Sequence, residues 1–330
     1  MRPRITTLTA VLAVLPLAAA LTAGAQQTGK VWRLGFLSSG SPGPSAPAVE
    51  AFVGGLRAHG WVDGQNLAIE YRWAGTGAKP LQEIASELAR LPVEVIYVRT
   101  TPAALALKKT GTKIPVVFTE VSEPITIGLV ASLAKPGSNF TGIASINREI
   151  MPKRLALLKE AIGGLTRVGY LANPAYGLYP VQSKEMREVA RALGMELLVF
   201  EASTLPEVER AFAGMVERQV GAYIVQQGPP FAFSFPQQIV DLGARARLPG
   251  MYVASAWARR GGLMAYGAVQ ADYHRRAAYY VDKILRGTKP GDLPVEQPTT
   301  FELVINLKTA RSLGVTIPQS LLLRADYVIE

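Results

Sequence analysis

The chain has 330 residues, 49% of them hydrophobic, and 35 Lys and Arg against 25 Asp and Glu give a formal net charge of +10. It has no cysteine and only two histidines. This composition excludes a disordered chain, disulfides, thiol nucleophiles and thiolate metal sites, and the length is enough for two hydrophobic cores.

The N-terminus reads as a secretory leader. Arg2 and Arg4 precede an uncharged apolar run, 5–21, and Ala23-Gly24-Ala25 supplies a small-x-small cleavage pattern. A membrane anchor is the other reading, but that run is short for a span of roughly 20 residues. Residues 1–25 are therefore expected to be removed, leaving a mature chain that starts near Gln26. Losing Arg2 and Arg4 lowers the charge by two, from +10 to +8. No cysteine stands at the cleavage point to carry a lipid, so a soluble periplasmic protein is expected. The remaining Lys and Arg are scattered in runs no longer than two, which argues against nucleic acid as a partner.

Strand and helix patterns then alternate. Strands are expected at 31–37, 67–73, 93–98 and 115–118. Helices are expected at 48–59, 81–91 and 101–110, with a Gly/Ser/Pro loop over 38–47. In 81–91 the apolar residues Leu81, Ile84, Ala85, Leu88 and Leu91 follow the spacing of one buried helix face. A polar turn, 119–124, leads to a short helix-like segment, the turn 135–139 and a strand at 140–144. Such a βαβαβαβ series needs a parallel sheet covered on both faces.

The series restarts with a helix at 152–162. Strands at 167–171, 196–200, 221–225 and 250–253 alternate with helices at 179–193, 205–218 and 235–246. A strand at 263–267 and a long helix at 272–285 are expected to return to the first unit. A strand at 300–305 crosses back, and Asn306 caps a helix, 307–313, that stops at Gly314. Hinge candidates are 144–145, 266–267 and 297–299, the points where the chain changes units.

No enzyme signature is found. His59 and His274 lack a second metal ligand at helical spacing, and no nucleophile elbow, P-loop or dinucleotide fingerprint follows a strand. No cofactor is expected. The informative residues are polar groups at strand ends, where open α/β sheets bind ligands. Ser38 and Ser39 follow the first strand. Thr100 and Thr101 follow the third, just before Pro102 at a helix start. They are read either as caps or as holding an anionic ligand group together with the helix-start amides. Glu120, Ser122 and Glu123 follow the fourth strand and suit a ligand ammonium, or else form a solvated loop. Asn173, Tyr176, Gln226 and Gln227 hold the matching places in the second unit. Trp257, Phe231, Phe233 and Tyr266 are candidate pocket walls.

Two long stretches carry a family likeness: IPVVFTEVSEPITIGLVASLAKPGSNFTGI (114–143), and GGLMAYG followed by LRGTKPGDLPVEQPTTFELVINLKTARSLGVTIP. From about residue 33 to 330 the chain resembles ABC-transporter substrate-binding proteins of the tryptophan/tyrosine-type group. The resemblance implies the α/β, two-lobed periplasmic-binding-protein type I fold. Lobe 1 would be 31–144 plus about 266–298, and lobe 2 would be 145–265 plus about 299–330. It implies a monomer that closes on a small polar ligand, an amino acid or similar, and delivers it to an ABC permease in the inner membrane. The rival reading is a ligand-sensing receptor subunit coupled to a membrane signalling protein. Pro136-Gly137, 289–294 and 306–310 carry much of the likeness and are read as turns and caps, so Lys308 is not expected to touch ligand.

Overall fold

A computed structural model of the protein describes residues 30–75, 77–226, 231 and 235–330. The expected leader, Gln227 and Phe233 lie outside the described residues.

The apolar runs form strands, most of them buried on both faces, and they assemble into two sheets. The first sheet takes β1 (Trp32–Ser38), β2 (Leu67–Trp73), β3 (Val95–Arg99), β4 (Val116–Ser122) and β5 (Phe140–Ser145) in the order β2-β1-β3-β4-β5, all parallel. One face is covered by α2 (Leu81–Leu88) and α3 (Thr101–Lys109). The other is covered by α1 (Pro42–Ala58) and by a helix that arrives much later in the chain. The expected loop at 38–47 is therefore mostly helix. Pro42 and Pro44 fall in the first turn, where amide hydrogens have no helical partner to lose, so prolines that read as loop-forming are compatible with a helix start. The helix-like segment expected after Pro124 is a chain of turns.

After β5 the chain enters the second lobe through α4 (Asn147–Ala161). There follow β6 (Arg167–Ala172), α5 (Tyr179–Ala192), β7 (Glu196–Glu201), α6 (Leu205–Glu217), β8 (Ala222–Val225), α7 (Pro236–Arg245), β9 (Gly250–Tyr252), α8 (Ser255–Arg259) and β10 (Met264–Ala268). Next comes α9 (Gln270–Leu285), which packs back on the first sheet and lies against α1. A Cβ on Gly55 of α1 would sit 2.8 Å from the Ala278 Cβ of α9, so this close helix pairing requires glycine. The chain ends with β11 (Phe301–Asn306), α10 (Leu307–Leu313), α11 (Gln319–Leu322) and β12 (Tyr327–Ile329). Asn306 caps α10 by accepting from the Thr309 amide at 3.1 Å, and Gly314 ends it at φ 72°.

The second sheet runs β12-β11-β10-β9-β8-β6-β7, with β10 and β11 antiparallel and the other pairs parallel. The architecture is thus two α/β lobes with mainly parallel sheets, each covered on both faces. The strand expected to return with the long helix does not do so. β10 stays in the second sheet because β9 and β11 satisfy its two edges, and the crossing falls just after Ala268. A Cβ on Gly267 would collide with the Val253 carbonyl oxygen, so β9 and β10 meet too closely there for any side chain.

Three crossings join the lobes, at 145–147, 268–270 and 297–300, and they lie side by side. The Val269 amide donates to the Thr300 carbonyl at 3.2 Å, and the Ala144 amide to the Glu296 carbonyl at 2.8 Å.

A cleft between the lobes

The carboxyl ends of the parallel strands in both sheets open toward the space between the lobes, the position in which such sheets bind ligands. A cavity of about 360 Å³ lies there, within the usual range for a small-molecule site. Arg99, Glu120 and His274 line it from the first lobe, and Val253, Ser255 and Trp257 from the second.

Its first-lobe wall is charged. Arg99 ends β3 and donates to the Glu120 carboxylate from Nε at 3.1 Å and from Nη2 at 2.9 Å. Both residues are buried. Strand alternation would send the residue after Thr119 to the opposite face of the sheet. A bulge between Thr119 and Val121 prevents this, with Glu120 in the left-handed region at φ 58°. A bulge re-aims a side chain, and here it turns the carboxylate to the side of the sheet that carries Arg99 and α9. The sequence reading offered Glu120 to a ligand ammonium. The structure places its carboxylate on Arg99, a residue that reading missed because Arg99 looked like the polar end of an apolar run. Opposite charges at the ends of two consecutive buried strands were the available signal.

Beneath the pair lies a hydrogen-bonded chain. Tyr97 Oη is 2.6 Å from His274 Nδ1 and 2.9 Å from Thr119 Oγ1. Burial, reinforced by the Arg99 charge, pushes the His274 pKa well below its ordinary value, so the ring is neutral. Burial pushes the Tyr97 hydroxyl up.

The hydroxyls expected at the site tie the strand ends to one another. Ser38 Oγ accepts from the Gly40 amide at 3.1 Å, and Ser39 and Thr100 share a hydroxyl bond of 2.8 Å. Thr101 Oγ1 accepts from the Ser122 amide at 2.9 Å, and Ser122 bonds to Ser145 at 2.9 Å. Thr100 occupies the N-cap position of α3 at φ 82°, yet its side chain makes no cap bond. The capping reading is therefore corrected, since Oγ1 is drawn to Ser39. An accepting hydroxyl such as that of Thr101 still has a proton to give. Glu123, at φ 51°, stands at the flank with Oε1 3.9 Å from Arg148 of α4, so it faces the other lobe across the crossing.

The second lobe brings Arg259, Arg260 and Glu302 to the cavity as well, whereas the polar residues expected at its strand ends are not among those that line it and form a neutral network of their own. The Asn173 amide donates to Gln226 Oε1 at 2.8 Å, and Gln226 Nε2 donates to Gln182 at 2.8 Å. Asn173 Oδ1 accepts from the Ala175 amide and the Ser203 hydroxyl. Tyr176 is buried beside them. Tyr266 lies inside β10, stacked on Phe301 at 6.1 Å, and its carbonyl accepts from Arg154 at 2.6 Å. Trp257 stacks on Tyr252 at 5.0 Å and walls the cavity, whereas Phe231 belongs to the core. The helix carrying Trp257 was not foreseen, and no group of side chains suited to a metal occurs among the described residues.

Comparison with known proteins gives consistent results. The family model described as ABC transporter substrate binding protein matches residues 43–329. Over 268 residues the chain is 26% identical to a tyrosine-binding protein of Clostridioides difficile strain R20291, covering 81% of this chain and 76% of that one. It matches the crystal structure of an ABC domain in complex with L-Trp from Streptococcus pneumonia with a TM-score of 0.81 at 27% identity, covering 90% of this chain and 99% of the other. Against the ligand-free, open structure of a substrate-binding protein with adhesive properties from Clostridium difficile the TM-score is 0.64 at 25% identity, covering 91% and 99%.

Proposed function

The chain belongs to the ABC transporter substrate-binding protein family, and from that premise we propose that it captures an amino acid, with aromatic ones the first candidates, and delivers it to an ABC permease. It is a solute-binding protein and performs no chemistry on its solute. The observation that carries the amino-acid reading is the Arg99–Glu120 pair. A zwitterion needs one positive and one negative partner close together. This wall presents both side by side, buried, in a cavity lined from both lobes. Relatives named for tyrosine and solved with L-Trp make aromatic side chains the first to test.

Capture works by closure. Each lobe offers half of the contacts, and a solute that meets both favours the closed arrangement by its differential affinity. The chain overlays better on the L-Trp complex than on the open relative, with TM-scores of 0.81 and 0.64, although the two relatives are almost equally similar in sequence. We place the protein in the periplasm, with its mature chain starting at or near Gln26. Intact mass of the envelope protein tests this, and a chain that retains its first 21 residues overturns it.

Calorimetric titration with L-Trp, L-Tyr and L-Phe, paired with small-angle scattering, tests capture. Binding should shrink the radius of gyration, and a hundredfold excess over Kd should add about 2.7 kcal/mol of stability. Tight binding of an amino acid with no change of shape would sink the closure mechanism.

A further inference from the structure

We propose that His274 is a solute contact: a fixed hydrogen-bond donor on the cavity wall that takes a carboxylate oxygen of the bound amino acid. This deepens the amino-acid reading above and rests on it.

The ring is held by one edge. Its Nδ1 lies 2.6 Å from Tyr97 Oη, and Tyr97 is in turn 2.9 Å from Thr119 Oγ1. Bonds from N–H to oxygen cluster near 2.9–3.0 Å, and hydroxyl bonds run shorter. The 2.6 Å contact suits the phenol donating to Nδ1, and the Thr119 hydroxyl can then donate to the phenol. A neutral ring that accepts at Nδ1 carries its proton on Nε2. That nitrogen is buried and has no hydrogen-bond partner among the described residues. Native proteins leave few buried donors unmet, and each exception asks for an explanation.

The cavity supplies one. His274 lines it together with Arg99 and Glu120. The residue stands on the same wall as the guanidinium, so the acceptor best suited by charge to its unmet donor is an anion. The neutral state of the ring leaves the proton in place: burial and Arg99 disfavour a second proton, and the Tyr97 bond fixes which nitrogen holds the first. The relay through Thr119 and Tyr97 thus sets the tautomer that reads the solute. A carboxylate is shared by all amino acids, so His274 governs recognition of the class and leaves the choice of side chain to the other walls.

The test is titration of wild type, H274F and H274Q with L-Phe, L-Tyr and L-Trp. Loss of one hydrogen bond to a charged group predicts that H274F binds all three about tenfold to a hundredfold more weakly. H274Q, whose amide nitrogen can replace the donor, should recover most of the affinity. Equal affinity of H274F and wild type overturns the inference. So does a loss confined to L-Tyr, which would assign the contact to the phenol of the solute. If H274F does not fold, imidazole ¹⁵N resonances of the wild type decide: adding L-Phe should move the Nε2 signal more than the Nδ1 signal, and no movement of Nε2 overturns the inference. A wild type that binds none of the three amino acids is a different outcome, which sinks the amino-acid reading and takes this inference with it.

Discussion

The first lobe meets the cleft with an ion pair and with backbone bent into left-handed conformations at Thr100, Glu120 and Glu123. The second meets it with Arg259, Arg260, Glu302 and Trp257 in ordinary backbone. Its own left-handed non-glycine residues, Gln219 and Arg247, lie at the opposite ends of the strands, just ahead of β8 and β9. Left-handed non-glycine residues cost energy and persist only where the surroundings hold them. The first lobe therefore carries the conformational cost of the site and a buried ion pair, whereas the second lobe's arginines at the cavity are exposed or half-buried. Away from the cavity lining, the second lobe ties its strand ends with an amide network through Gln182, Gln226 and Asn173.

Substitutions can break this contrast. Arg99→Met leaves the Glu120 carboxylate buried without its cation and should cost about 3–5 kcal/mol in urea unfolding, and adding Glu120→Leu should recover most of it. Gln226→Leu, in the second lobe, strands the Asn173 amide and should cost about 1–3 kcal/mol. If Gln226→Leu proves as costly as Arg99→Met, the lobes do not differ as described.

Acid should act on the first lobe before the second. Both histidines of the chain pack there, His59 at the end of α1 and His274 in α9. His274 has a folded pKa depressed well below 6.5, so below that pH the unfolded chain binds a proton that the native state refuses. Its contribution is present above the unfolded pKa and is lost as pH falls toward the folded one. The groups facing the ring are Tyr97 and the Arg99–Glu120 pair, and Arg99 acts to keep it neutral. Stability should fall by about 1 kcal/mol between pH 6.5 and 5.5 from this residue, and H274F should flatten that part of the curve. A slope unchanged in H274F would assign the acid loss elsewhere. The smallest effect is expected at Lys308, which is exposed on α10 away from the cleft. Lys308→Ala should change stability by less than about 0.5 kcal/mol and leave affinity unchanged in calorimetry.

How far the sequence could be read follows from what each feature depends on. The βα alternation depends on local periodicity, and nearly every strand lies where its apolar run is. The helix start at Pro42 was hidden because Gly, Ser and Pro read as loop, although proline is tolerated in a first helical turn. The placement of β10 was hidden because strand pairing is non-local: nothing within Met264–Ala268 says that Phe301–Asn306 will lie beside it. The strand-end hydroxyls and Glu120 were legible as polar residues at the right ends of strands, but their partners were not. The bulge at Glu120 aims the carboxylate at Arg99, and a one-residue shift of register has no composition signature. His274 looked like one more helical position until the fold set it against Tyr97.

The three adjacent crossings also set an order in time. Sheet one is built from residues that end at Ser145, but the face that carries Tyr97 and Val117 is covered by α9, which ends at Leu285. Sheet two gains its edge only with Tyr327–Ile329. Neither lobe is a continuous stretch of chain, so each must wait for segments made well after its first strands. A first lobe cut after residue 145 would expose the part of its core that α9 covers, and no single cut in a crossing would release an intact lobe. The connectivity that lets two lobes move about one hinge also makes each lobe depend on chain that passes through the other.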